Sequence, residues 1–67
     1  MSYEAFKAKV SALIARAGGE IEVDFSQEPE EGKFYAECSD GVTIVGHSAS
    51  IMVSVHWGTD HYSMAAI

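Results

Sequence analysis

The chain has 67 residues, of which 48% are hydrophobic and 21% are charged, and its net charge is −6. This length and composition predict one globular domain near the lower size limit for a hydrophobic core, and they exclude a disordered chain. The single cysteine excludes an intramolecular disulfide and a cysteine-based zinc cluster.

The charge is divided unevenly along the chain. Residues 1–17 contain three basic residues and one acid, whereas residues 18–67 contain nine acids and a single lysine, Lys33. Because phosphate binding requires clustered basic side chains, we expect no nucleic-acid partner. The sequence has neither an apolar run of about 18 residues nor a signal-peptide core, so we expect a cytoplasmic protein with no membrane partner.

Residues 3–17 have the pattern of an amphipathic helix. Ser2 is expected to cap its N-terminus, and Gly18 and Gly19 provide a stop. The apolar face comprises Tyr3, Phe6, Val10, Leu13, Ile14 and Ala17. The opposite side carries four alanines. Alanine favours the helix at exposed positions, which explains them; alternatively, they form a second contact face for a partner.

After Gly19 the sequence period changes to two, which is typical of β-strands. β-branched and aromatic residues alternate with other residues in five segments, at about residues 20–25, 33–38, 42–47, 51–57 and 61–67. We therefore predict a single α+β domain (1–67). In this fold the N-terminal helix packs on one face of a four- to five-stranded antiparallel β-meander.

Short connections between these segments predict the register. Residues 39–41 suit a three-residue loop with a left-handed glycine, and residues 58–59 suit a two-residue type II′ turn. Residues 47–50 form another short loop, whereas the longest connection is expected over residues 26–33. The predicted cross-strand pairs are Cys38 with Val42, Gly46 with Ile51 and Trp57 with Asp60.

The last turn is flanked by two histidines, His56 and His61. The two-residue turn predicts that they are cross-strand neighbours on the outer face of the sheet, with Cβ atoms about 5 Å apart. A zinc site needs further ligands, and His47 is expected about 20 Å away along the same hairpin. We therefore expect solvated histidines and neither a bound metal nor a cofactor. A metal- or small-molecule-binding module at His56 and His61 remains the alternative function.

Other chemistry-bearing residues fit a structural role better than a catalytic one. Cys38 belongs to the inner face and is expected to act as a small hydrophobe. Glu22 and Glu37 are expected to be neighbours on the outer face, as a solvated carboxylate pair on a flat surface. The segment GHSAS (46–50) resembles a nucleophile elbow, but the elbow requires a large α/β sheet that this chain is too short to form. We predict no catalytic residue.

The outer face of the predicted sheet is half apolar. One predicted row is polar, and the next contains Asp24, Tyr35, Val45, Met52 and Ala65, with Ile67 just beyond. Because an exposed sheet face normally stays polar, this row predicts a contact surface. We expect a small non-enzymatic interaction or assembly module that forms a homo-oligomer or binds another protein through this row. The negative charge of residues 18–67 leaves a third interpretation, a regulator that mimics an acidic surface.

Overall fold

A computed structural model describes the backbone of residues 1–57 and 61–66 and the side chains of residues 1–56. The strands form one antiparallel sheet in chain order, with α1 against one of its faces. The predicted α+β class and meander topology are therefore confirmed. The elements in these residues are α1 (Tyr3–Arg16), β1 (Val23–Glu28), β2 (Lys33–Cys38), β3 (Val42–His47), β4 (Met52–Trp57) and β5 (His61–Ala66).

Helix α1 begins at the predicted residue, Tyr3, and ends one residue before the predicted end at Ala17. The Ser2 hydroxyl accepts a hydrogen bond from the Ala5 amide at 3.1 Å, which satisfies an amide left without a partner in the first turn. The helix ends at Arg16, and the chain leaves it through Gly18 and Gly19, which have φ values of +110° and +77°. These left-handed conformations are readily accessible only to glycine, and they stop the helix here.

The core lies between the predicted apolar face of α1 and the inner face of the sheet. The aromatic ring of Phe6 packs edge-on against Phe25, with centroids 6.3 Å apart, and against Phe34 at 5.6 Å. Burial of such large apolar side chains is the main source of stability in a domain of this size. The buried hydrophobic residues of the described part are Phe6, Val10, Phe34, Ala36, Ile44 and Val53.

Gly46 on β3 is buried directly beneath the Phe6 ring. A Cβ atom at this position would lie 2.5 Å from Cδ1 of Phe6 and 2.9 Å from its Cε1. The missing side chain therefore lets the aromatic ring contact the strand backbone. A glycine inside a strand often marks such a close approach.

Strand β1 lies three residues further along the chain than the predicted segment 20–25. Its last residue, Glu28, is followed by a tight turn in which the Glu31 amide donates to the Glu28 carbonyl at 3.2 Å. Gly32 closes this turn with a φ of +68°. The polar residues 26–28 therefore pair with β2, and Asp24 replaces Glu22 as the neighbour of Glu37.

The β3–β4 register differs from the predicted one by two residues. Val45 lies opposite Ser54, so the predicted pairing of Gly46 with Ile51 is wrong. The connection is longer because the Ser50 hydroxyl accepts a hydrogen bond from the Met52 amide at 3.1 Å and holds Ile51 outside the strand. An even shift keeps each side chain on its predicted face and moves it along the strand.

The β4–β5 register differs by one residue. Trp57 lies opposite His61, and His56 lies opposite Tyr62, so the predicted pairing of Trp57 with Asp60 is wrong. Three residues, rather than two, separate the paired ends of these strands. The predicted turn at 58–59 lies outside the described residues.

Candidate interaction surface

The face of the sheet opposite α1 presents three rows of side chains. Each row crosses the strands from β1 towards β4, and within the described residues no element covers it. The first row contains Asp24, Glu37, Thr43 and His56; the second contains Ser26, Tyr35, Val45 and Ser54; and the third contains Glu28, Lys33, His47 and Met52.

Three of the five residues predicted to bind a partner lie on this outer face. Tyr35 and Val45 are direct cross-strand neighbours, as expected, and both are half-buried. Met52 lies one row away from Val45 rather than beside it, with 37% of its surface exposed. Ala65 lies opposite Val53 in the register, outside the predicted row, and its side chain is beyond the described part. Ile67 lies outside the described residues.

Ile51 is an exposed large hydrophobic residue that lies just before β4. It is 74% exposed, although the sequence predicted it as the first residue of a strand, opposite Gly46. Its alternation with Val53 and Val55 suggested burial, but the strand begins only at Met52. Beside Met52, a shallow depression of about 190 Å³ is lined by side chains that include Val45, His47 and Lys33.

Charge is distributed asymmetrically across the outer face. The half formed by β1 and β2 carries the exposed carboxylates of Asp24, Glu28 and Glu37, whereas His56 lies on β4 at the other side. The side-chain hydrogen bond between Glu28 and Glu31 raises the pKa of Glu28 above its usual value of 4.5. This half of the face therefore carries three carboxylates and one ammonium group, that of Lys33.

The two histidines of the predicted metal site are not cross-strand partners. His56 lies between Thr43 on β3 and Tyr62 on β5, and His61 is opposite Trp57. The predicted pairing, on which the metal hypothesis depended, is therefore wrong. Among the described residues, no group of three or more His, Cys, Asp or Glu side chains lies close enough to hold a metal ion. The His47 ring accepts a hydrogen bond at Nδ1 from the Ala49 amide at 3.0 Å.

Cys38 lies on the inner side of the sheet, as predicted. Its side chain packs against the core beside an apolar cavity of about 160 Å³, between the C-terminal end of α1 and the sheet. Partial burial, together with the nearby charge of Asp40, raises the pKa of this thiol. The thiol is therefore held in its neutral, weakly nucleophilic form.

Comparison with protein-family models, with curated proteins and with solved structures found no match. No helix in the described part of the chain has the length and apolarity needed to cross a bilayer. Function is therefore inferred from the chemistry of the surface.

Proposed function

We propose that the protein is a small non-enzymatic assembly module that forms a homodimer through the outer face of its sheet. The observation that carries this proposal is the direct pairing of Tyr35 and Val45 near the centre of that face. Met52 adds exposed apolar surface at the margin. Because uncovered sheet faces are normally polar, these side chains favour contact with another protein surface.

The small size of the domain supports the same proposal. Helix α1 covers only one side of the sheet, so the core is a single layer of side chains. Chains of this length gain little net stability from one such layer, and oligomerisation is a common route to more burial. Association of two outer faces would cover Tyr35, Val45 and Met52 of each copy.

The dimensions of the face set the size of the expected interface. Five strands of six residues form a surface of about 24 by 20 Å, or roughly 500 Å² for each copy. A pair of copies would then bury about 1,000 Å², which is near the lower limit for a specific interface. We therefore expect weak association that depends on the protein concentration.

The free thiol of Cys38 fits a reducing compartment, and we propose a cytoplasmic protein on this basis.

Multi-angle light scattering and sedimentation across a concentration series test the proposed dimer. Val45→Glu should give a monomer with an unchanged circular dichroism spectrum, because it places a carboxylate in the apolar centre of the face. Ala8→Glu is the matched control, since it adds the same charge at an exposed position on α1. This variant should remain dimeric.

Two results would contradict the proposal. A monomeric wild-type protein at about 1 mM would exclude any dimer with a dissociation constant below the millimolar range. Dissociation caused by Ala8→Glu, with Val45→Glu still dimeric, would move the interface to the alanine side of the helix.

A further inference from the structure

We propose that the outer edge of β1 docks an extended segment of another protein in which Lys or Arg alternates with apolar residues. The segment adds an antiparallel strand to the sheet. Its backbone bonds to the edge of β1, and its basic side chains lie opposite the carboxylates of Asp24 and Glu28. The proposal does not depend on the homodimer, because it uses the edge of the sheet and not its face.

Strand β1 presents a regular edge. It is the terminal strand of the sheet, and no element of the described chain pairs with its outer side. Its six residues pair one to one with β2, so no bulge interrupts it, and it contains neither proline nor lysine. Natural proteins commonly use such devices to protect an edge. The protection that β1 does have is the charge of Asp24 and Glu28, which discriminates between partners.

Hydrogen bonds next to β1 fix which of its backbone groups point outward. The Ser39 amide donates to the Glu22 carbonyl at 2.9 Å, and the Glu22 amide donates to the Ser39 hydroxyl at 3.1 Å. Residue 22 therefore turns its backbone groups towards β2. In an antiparallel ladder this direction alternates from one residue to the next. The residues of β1 that direct their amide and carbonyl groups outward are Val23, Phe25 and Gln27.

The charges of β1 oppose pairing with β1 of a second copy. A two-fold axis at the edge makes the two strands antiparallel, with outer-face side chains opposite one another. The two registers with the longest overlap place either Glu22 or Asp24 opposite the partner's Glu28. Lys33 lies beside Glu28 on β2, on the side away from the second copy. Like charges directly opposite each other destabilise a strand pair, so this pairing is disfavoured.

The other edge of the sheet does not offer the complementary charge either. Strand β5 contains no lysine or arginine, and Lys33 is the single lysine or arginine of residues 18–67. A second copy therefore has no strand with alternating cations. A segment of another protein with Lys or Arg at every second position places them opposite Asp24 and Glu28, and such opposite-charge pairs stabilise neighbouring strands.

Apolar side chains beside the edge define the other half of the recognised pattern. Val23 and Phe25 lie on the inner side, pack against the core and are only half-buried. An added strand places every second side chain next to them, and apolar residues there extend the core. In strand addition of this kind, backbone hydrogen bonds provide affinity and the alternate side chains provide specificity.

A synthetic peptide with blocked ends and the sequence Thr-Lys-Val-Lys-Val-Lys-Thr tests the proposal. Isothermal titration calorimetry at low salt should detect its binding. A peptide with glutamate at the lysine positions should bind about tenfold more weakly or less, because each opposite-charge pair becomes a like-charge pair. A peptide of the same composition with consecutive lysines is the control for charge alone. Equal affinity of this control would overturn the proposal.

Methylation of the peptide backbone separates strand pairing from simple attraction between charges. In the antiparallel arrangement the valine amides bond to β1, because they lie opposite Phe25 and Gln27, and the lysine amides point away. N-methylation of the valines should therefore abolish binding, whereas N-methylation of the lysines should preserve it. Equal binding of the two methylated peptides would overturn the strand pairing.

Substitutions in the protein locate the site. Gln27→Pro removes an outward amide at an edge position, where proline is tolerated, and should weaken binding about fivefold with an unchanged circular dichroism spectrum. Asp24→Lys should weaken binding of the lysine peptide and strengthen binding of the glutamate peptide. If neither variant changes peptide binding, the segment does not dock at β1.

A variant of the outer face separates this site from the proposed dimer. Val45→Glu changes a residue on β3, two strands from β1, and should bind the peptide as the wild type does. Loss of peptide binding in Val45→Glu would move the site to the outer face and overturn the proposal. A mass of the protein alone that grows without limit with concentration would indicate pairing of β1 with β5 of other copies, which would also overturn it.

Discussion

Substitution of Gly46 by alanine tests the contact between α1 and the centre of the sheet. The added Cβ would lie 2.5 Å from Cδ1 of Phe6, whereas unstrained carbon atoms pack about 3.5–4.0 Å apart. The Phe6 ring has little freedom to move away, because it is fully buried between Phe25 and Phe34. Relief of the overlap therefore requires a shift of the helix or of the ring.

Overpacking in a core of this kind costs about 1–3 kcal/mol. Alanine also restricts the unfolded chain, which offsets the cost by about 0.4–1 kcal/mol. We therefore expect Gly46→Ala to lower the free energy of unfolding by about 1–2 kcal/mol, which corresponds to a decrease in Tm of roughly 4–16 °C. Thermal and urea unfolding followed by circular dichroism measure both quantities.

A double-mutant cycle with Phe6→Leu assigns this cost to the aromatic ring. Leucine lacks the ring edge that meets the new Cβ, so Gly46→Ala should cost little in the Phe6→Leu background. Gly41→Ala serves as the control. It replaces a glycine with a φ of +89° and no other atom near its Cβ position, so its cost should not depend on Phe6. Unchanged stability of Gly46→Ala, or an equal penalty in both backgrounds, would refute the placement of the ring.

Three further perturbations test the core, the acidic turn and the thiol. Val53→Ala should lower the free energy of unfolding by about 2 kcal/mol, because Val53 is fully buried. Leu13→Ala should lower it by less, because Leu13 is only partly buried, and urea titrations compare the two variants. Glu28→Gln should stabilise the protein at neutral pH, because the raised pKa of Glu28 means that its ionised form is unfavourable in the fold. Below the ordinary pKa of 4.5 the substitution should give no such gain, and denaturation at the two pH values measures this difference. Cys38 should react with iodoacetamide more slowly in the folded than in the unfolded protein, since burial raises its pKa; mass spectrometry gives the rates.

The sequence was most informative where local signals fix both ends of an element. The predicted bounds of β2 and β3 agree with the structure because the turn between these strands is specified by its own residues. Gly41 adopts a φ of +89°, and the Asp40 carboxylate accepts a hydrogen bond from the Val42 amide at 3.1 Å. Such a turn forms from interactions within three residues and depends little on the rest of the chain.

The connection between β3 and β4 could not be predicted in the same way, because contacts distant in sequence shape it. The N-terminal amine of Met1 donates hydrogen bonds to the carbonyls of Ser48 and Ser50 at 2.8 and 2.9 Å. The Ser48 amide donates to the Gly32 carbonyl at 2.8 Å, which links this loop to the turn after β1. These partners are 16 to 49 residues apart, so the local sequence contains no sign of them.

The two register differences had unequal consequences for function. The β3–β4 shift was even, so Met52 stayed on the outer face with Tyr35 and Val45, although it moved to another row. The β4–β5 shift was odd, and it removed His61 from the position opposite His56. A site built from two particular neighbours requires the right register, whereas a contact surface requires only the right face. For this reason we propose the outer-face dimer rather than a site at the two histidines.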